Sequence, residues 1–312
     1  MQSAVVLEGV TKRYGDFTAV NDLSFQARSG QILGFLGPNG AGKTSSIRMI
    51  LGLIAPTAGR IRVLGEADAS RVRARIGFLP EERGLYRRMT PVTAIAFLAS
   101  LKGVPVAQAR RRARTMLEEQ GLGEAMNRQI RSLSKGMAQK VQLLSALAHD
   151  PDLVILDEPF SGLDPVNQQS LELIIRKLAD RGATVIFSTH VMQHAERLCD
   201  HVVLLAGGRK VFDGSVAEAR SAAPRTLVLE GPFDPAAVAD LPGLSGLTAE
   251  AVETAEGDGE GVRVTAALKA GAPAQDVLKA AFAKGLDIQR FELKEPHLHD
   301  AFIVLTTAGG RP

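Results

Sequence analysis

Apolar residues recur in two ways along this chain. Short unbroken runs bounded by turn residues predict strands buried on both faces: Ile32-Leu33-Gly34-Phe35-Leu36, Leu153-Val154-Ile155-Leu156, Ala183-Thr184-Val185-Ile186-Phe187 and Val202-Val203-Leu204-Leu205. Longer stretches carry apolar residues at helical spacing, through most of 91–149 and again near 166–181. Strands alternating with helices predict a mainly parallel sheet covered on both faces. Looser alternation at 4–10 and at 23–27 predicts two short antiparallel strands leading to the run at 32–36. Further strands are expected at 60–64 and 75–79, followed by a polar loop from Pro80 to Tyr86.

The pattern changes near Ala222-Ala223-Pro224, where a linker is expected. Beyond it the order is strand (226–230), short helix (235–241), two β-like runs (246–253 and 261–266), amphipathic helix (274–284) and strand (287–293). The glycines between Glu256 and Gly261 are a turn signal joining the two β-like runs. This βαββαβ order matches a small ferredoxin-like α+β unit. A last helix is expected from about His297 to Leu305.

Composition narrows the class. The chain has 312 residues, enough for about two domains. It carries a formal net charge of +3, too small to demand a nucleic-acid partner. Aromatics make up 4% with no Trp, which disfavours base-stacking platforms. The Arg-rich stretch at 107–120 reads as a solvated helix face or a contact for a partner's acidic surface. A single cysteine, Cys199, rules out disulfides within the chain and reads as a small apolar residue. No signal peptide is visible, and no stretch of about 18 uncharged apolar residues occurs.

One motif carries chemistry by itself. Gly37-Pro38-Asn39-Gly40-Ala41-Gly42-Lys43-Thr44 reads G-x-x-x-x-G-K-T, between a buried strand and a helix that starts around Ser45. Its glycines let backbone N–H groups approach phosphate oxygens, and the helix N-terminus adds its dipole. Lys43 would reach the β- and γ-phosphates, and the Thr44 hydroxyl would hold Mg²⁺. Asp157, ending a buried strand, would hold the same ion from the opposite side. Glu158 beside it could deprotonate an attacking water. His190, ending another buried strand, could reach the γ-phosphate. Tyr14 has a π-face for a nucleotide base, with ordinary packing at a strand end as the competing reading. Ser134 is the expected N-cap of a further helix.

Taken together these residues resemble the nucleotide-binding subunits of ATP-binding-cassette (ABC) transporters over about residues 4–220. The resemblance rests on the loop at 37–44, on Leu133-Ser134-Lys135-Gly136-Met137 at the family's signature position, on Asp157-Glu158, on Ser161-Gly162-Leu163-Asp164 and on His190. It implies a cassette at 1–222, with a mixed sheet, a helical subdomain at about 85–150 and an antiparallel β part. The α+β extension would be 223–312. It further implies an ATPase using ATP and Mg²⁺ that forms a head-to-tail dimer. Each ATP would lie between the loop of one copy and Ser134 and Gly136 of the other, with Asp164 also at the site. The tail Glu295-Pro296-His297-Leu298-His299-Asp300-Ala301-Phe302 is similar to the end of an extension found on some bacterial exporter ATPases. Those work with a separate multi-span permease, which residues around 82–120 would meet, at the cytoplasmic face of the inner membrane.

Two positions depart from the family pattern. Glu81, or Glu82 in a shifted register, stands where Gln is usual. A carboxylate there can also ligate Mg²⁺, but it adds negative charge beside the phosphates. The signature reads Ser-Lys-Gly-Met in place of Ser-Gly-Gly-Gln. A nucleic-acid or ribosome-associated ATPase of the same superfamily is the competing reading. Against it, the chain has one P-loop, and only 88 residues separate Thr44 from Leu133, leaving no room for a long coiled-coil insertion. A purely ATP-gated module without hydrolysis is disfavoured by Asp157, Glu158 and His190.

Overall fold

The computed structural model describes residues 3–82, 84–253 and 260–308. Its contacts divide the chain into two compact units, Met1–Val216 and Ala217–Pro312.

In the first unit, β1 (Ser3–Tyr14) and β2 (Phe17–Arg28) form an antiparallel pair joined by Gly15-Asp16. Each is 12 residues long, so the strands take in Lys12-Arg13-Tyr14, which the sequence placed in a connection. Register shifts along the pair break the alternation that would have marked its length. β3 (Ile32–Leu36) is buried at every position and runs through the glycine loop into α1 (Lys43–Ile50). β4 (Ala58–Val63) adds to β1, giving a three-stranded sheet in the order β2-β1-β4. A 3₁₀ segment, Ala69–Arg75, capped by Asp68, precedes β5 (Ile76–Leu79).

Three helices follow. α2 (Pro91–Leu101) starts at a Thr90 N-cap with Pro at its first position. α3 (Val106–Glu119) buries Ala109, Ala113 and Leu117 completely, one stripe at i, i+4, i+8. Two alanines in that stripe let α3 pack closely. α4 (Lys135–Leu147) has the expected Ser134 N-cap, whose Oγ accepts from the Met137 N–H at 3.3 Å. The three share an apolar core centred on Ile95, Leu117, Val141 and Leu144.

The chain then returns to the sheet through β6 (Leu153–Asp157), α5 (Pro165–Asp180), β7 (Thr184–Thr189), α6 (Met192–Leu198) and β8 (His201–Ala206). β9 (Arg209–Ser215) closes the edge, antiparallel to β8. The sequence gives no sign of β9 beyond the Gly207-Gly208 turn before it, because its mixed polarity lacks the apolar run of a central strand. The strand order is β5-β6-β7-β3-β8-β9, and all but β9 pair in parallel. Three neighbours, β6, β7 and β3, thereby end side by side.

The second unit begins around α7 (Val216–Ser221), just before the segment 222–224 where a linker is expected. Then follow β10 (Thr226–Gly231), α8 (Pro235–Ala239), β11 (Leu244–Glu253), β12 (Glu260–Leu268), α9 (Ala274–Ala283), β13 (Arg290–Lys294) and α10 (Leu298–Ala308). Its antiparallel sheet has the order β11-β12-β10-β13. Most of the expected turn between β11 and β12, at 254–259, lies outside the described residues. β13 starts three residues later than expected, because Asp287 to Gln289 only approach the sheet, with the Gln289 N–H donating to the Glu230 carbonyl.

Candidate functional site

The site lies where β3, β6 and β7 end together, outside the C-terminal edge of a parallel sheet. Between β3 and α1 the backbone must turn within a few residues under other chain segments. A Cβ on Gly37 would sit 2.4 Å from the Leu205 carbonyl oxygen, and one on Gly42 2.5 Å from that of Ala19. Both glycines also have positive φ, so no other residue fits either position without movement. Gly42 is the N-cap of α1, whose first turn contains no acidic side chain, leaving the positive helix end unopposed. These features fit a phosphate chain. Pro38, Asn39, Gly40 and Ala41 complete the loop, and the Ala41 N–H donates to the Pro38 carbonyl.

Lys43 is 7% exposed. Its Nζ donates to the carbonyls of Gly37 (2.7 Å) and Pro38 (3.1 Å) and lies 3.8 Å from Glu158 Oε1. Burial lowers its pKa, against the opposing pull of Glu158, Asp157 and Glu81. Thr44 and Ser45 follow on α1.

Asp157 and Ser188 are register partners across β6 and β7, and the Ser188 hydroxyl donates to Asp157 Oδ1. Burial pushes the Asp157 carboxyl above the usual range. Hydrogen bonds from Ser188 and Thr44 oppose the rise, and the neighbouring Glu158 charge adds to it. Thr44 and Asp157 are the kind of pair that could hold a divalent cation. Glu158 follows in the left-handed region, with φ of 46°. For a non-glycine residue this conformation costs roughly 1–3 kcal/mol. The Glu158 N–H donates to the Ser188 carbonyl at 3.1 Å, and the side chain, 9% exposed, is 2.9 Å from His190 Nδ1. His190 itself is half exposed. A carboxylate held by a histidine and a lysine, at an open edge, can take a proton from water.

Glu81 follows β5, next to β6, and its charge acts on Lys43. With Glu82, Asp157, Glu158, Lys135 and Ser161 it lines a cavity of about 310 Å³. Ser134 and Gly136 stand at the start of α4. Ser134 bonds within its own helix, and Gly136 lies against Asn167, whose amide donates to Asp164. Neither joins the hydrogen bonds of the glycine loop. The Ser134 hydroxyl oxygen accepts from the Met137 N–H, as an N-cap does, and its own hydrogen is left to donate. Asp164 caps α5, and hydrogen bonds from Asn167 lower its pKa. Tyr14 is exposed at the end of β1, with the Lys12 ammonium 5.1 Å from its ring centroid. Ala19 and Val20 of β2 rest on Gly42, which brings this hairpin against the loop.

Three side chains that brace the site escaped sequence reasoning. Gln139 Nε2 donates to the Pro159 carbonyl at 2.7 Å and Gln142 Nε2 to that of Glu82 at 3.1 Å, tying α4 to both catalytic loops. Their only signal is i, i+3 spacing on one helix. Ser188 is visible only through its pairing with Asp157. His194 is stacked on Phe160 at 4.0 Å between centroids. Cys199 is half-buried, with its thiol against Gly34.

A family model described as "ABC transporter" matches residues 20–161. An uncharacterized ABC transporter ATP-binding protein of Bacillus subtilis, YhaQ, is 38% identical over 96% of this chain and 97% of its own length. The chain belongs to the ABC transporter ATP-binding proteins. It is an ATPase subunit of that family, with ATP and Mg²⁺ as its ligands, and subunits of this kind dimerise and work with membrane permeases. The Nod factor export ATP-binding protein I of Ralstonia nicotianae is 37% identical over 81% of this chain and 78% of its own length. Among solved structures, an ATP-binding subunit of an ABC transporter matches with a TM-score of 0.66 and 31% identity, over 70% of this chain and 92% of that one. A dimeric ATP-binding cassette in a post-hydrolysis state with ADP and Pi shares the fold, with a TM-score of 0.63 and 24% identity. Among the described residues no helix is long and apolar enough to cross a membrane.

Proposed function

We propose that this subunit hydrolyses ATP in a head-to-tail dimer and drives export through a separate multi-span permease from the cytoplasmic face of the membrane. The observation that carries the hydrolytic part is the placement of Glu158, strained, nearly buried and held between His190 and Lys43. Glu158 takes a proton from the attacking water as its oxygen bonds to the γ-phosphorus and the bond to the ADP oxygen breaks. Lys43 and the loop N–H groups stabilise charge on the phosphate oxygens. His190 orients Glu158 and reaches the γ-phosphate. Thr44 and Asp157, with Glu81, would hold Mg²⁺, whose charge would offset that on the phosphate oxygens. Tyr14 stacks on the base. Ser134 and Gly136 of one copy clamp the γ-phosphate bound by the other, with Asp164 beside them.

Export is supported by the names of relatives such as the Nod factor export protein. The permease has a fitting place in an apolar groove of about 220 Å³, lined by Phe78, Leu85, Leu98 and Leu101. Tyr86 and Phe97 meet edge-on beside it, and both are exposed. The second unit reads as ferredoxin-like on its strand order.

Glu158→Gln keeps the shape and removes the base. Steady ATPase should fall by about 100-fold or more, while ATP-dependent dimerisation, read by size-exclusion chromatography, persists. Turnover at the parent rate would sink the assignment of Glu158 as base.

A further inference from the structure

Charge is divided unevenly in the first unit. Residues 85–150 contain eleven Lys and Arg against four Asp and Glu, a net of +7 within a chain whose total is +3. The remainder of the chain therefore has a net of −4. Pairing is uneven too. Arg62, Arg71, Arg75, Arg197, Arg263 and Arg290 each face a carboxylate. None of the eleven cations at 85–150 has an ion-pair partner among the described residues. Arg112 and Arg128 donate to backbone carbonyls, which satisfies hydrogen bonds but leaves the charge uncompensated. The exposed side chains of Arg87, Arg88, Arg110, Arg111 and Arg131 make no hydrogen bond to a described residue.

These cations form a connected surface. On α3, Arg110, Arg111 and Arg114 are exposed, outside the buried stripe Ala109, Ala113, Leu117. Arg114 reaches Met126 Sδ at 3.6 Å, which joins α3 to the segment carrying Arg128 and Arg131. The Arg131 N–H donates to the Arg87 carbonyl at 3.0 Å, bringing in Arg87 and Arg88. Tyr86 comes next in the chain, at the rim of the groove assigned above to the permease.

We propose that this basic face is a docking surface for anionic lipid headgroups of the bilayer around the permease. The proposal rests on the transporter reading, because a permease seated in the groove brings the adjoining arginines near the membrane. Arginine suits the role, since its planar fork binds phosphate oxygens in pairs. Attraction of this kind is additive per cation and fades within a Debye length.

The test uses the purified full chain and sedimentation with vesicles of phosphatidylcholine, alone or with about a third phosphatidylglycerol. Binding should require the anionic lipid and should be lost between about 0.05 and 0.3 M salt, where the screening length falls from roughly 14 to 6 Å. Combined Arg110→Glu, Arg111→Glu and Arg114→Glu should weaken partitioning by about 100-fold. Lys269→Glu with Lys279→Glu, in the second unit, should leave it unchanged. ATPase of the triple variant at the parent rate shows that it is folded. Equal binding to neutral vesicles, or unchanged binding by the triple variant, overturns the proposal. Salt-sensitive binding to duplex DNA without vesicle binding overturns it in favour of nucleic acid. The vesicles contain no permease, so such failures leave the transporter reading standing. That reading fails separately, if the chain does not co-purify with its permease.

Discussion

The glycine-loop side of the site and the α4 side are built differently. On the loop side, Lys43, Asp157 and Glu158 are buried and tied to one another and to Ser188. Their positions come from three strands sharing one edge. On the α4 side, Ser134 is exposed and caps its own helix, and Gly136 leans on Asn167. That side is attached to the catalytic loops by two glutamine amides, Gln139 on Pro159 and Gln142 on Glu82. One half of the chemistry is thus preorganised by a sheet core. The other is presented outward on a helix held by a few breakable bonds. This division suits a site that a second copy completes and a partner moves.

The comparison can be broken most severely on the rigid side. Lys43→Ala removes a buried cation facing Glu158 and should lower ATPase more than 100-fold; a variant within tenfold of the parent would mean that the lysine is structural. Ser188→Ala leaves Asp157 short of a donor in a buried setting, which costs about 1–3 kcal/mol. Its Tm should fall, and the Mg²⁺ concentration needed for half-maximal ATPase should rise. Unchanged Mg²⁺ dependence would separate Ser188 from the cation site.

The helix side should respond more mildly. Gln139→Ala with Gln142→Ala frees two backbone carbonyls and should cost roughly 1–2 kcal/mol in stability. Basal ATPase should change less than stimulation by the permease. Equal losses in both would show that α4 is part of the rigid half.

A pH experiment probes the link between them. His194 stacks on Phe160, and its Nδ1 accepts from Arg197 Nη2 at 3.1 Å. Burial lowers its pKa, and Arg197 adds to the effect, against Glu172 and Glu158. The folded pKa is below the unfolded value of about 6.5. The unfolded chain therefore takes up a proton first as pH falls, so this stability is present above about pH 6.5 and is lost on acidification. The Tm should drop between pH 7 and 5, and His194→Gln should flatten that drop. The smallest effect belongs to Asp150, with φ of 61° and away from the chemistry. Asp150→Gly should stabilise by at most about 1 kcal/mol without altering ATPase, marking strain that serves no catalytic purpose.

Much of this was legible in the order of residues. The buried strands, the loop at 37–44 and the carboxylates at 157–158 each announce themselves within a few positions, because strand burial, glycine conformation and helix starts are local properties. β9 and the full extent of β1 and β2 were not legible, since their residues are polar enough to resemble connections and only pairing partners make them strands.

By itself the sequence determined which groups can meet phosphate, metal and water, and it named the family through their chain order. Only the tertiary structure decided that Ser188 supports Asp157, that Ser134 spends its oxygen on its own helix, and that Gln139 and Gln142 moor α4. It also decided that the arginines of the helical subdomain have no carboxylate partner among the described residues. Pairing of this kind depends on distances between segments far apart in the chain, which packing sets and no local pattern records.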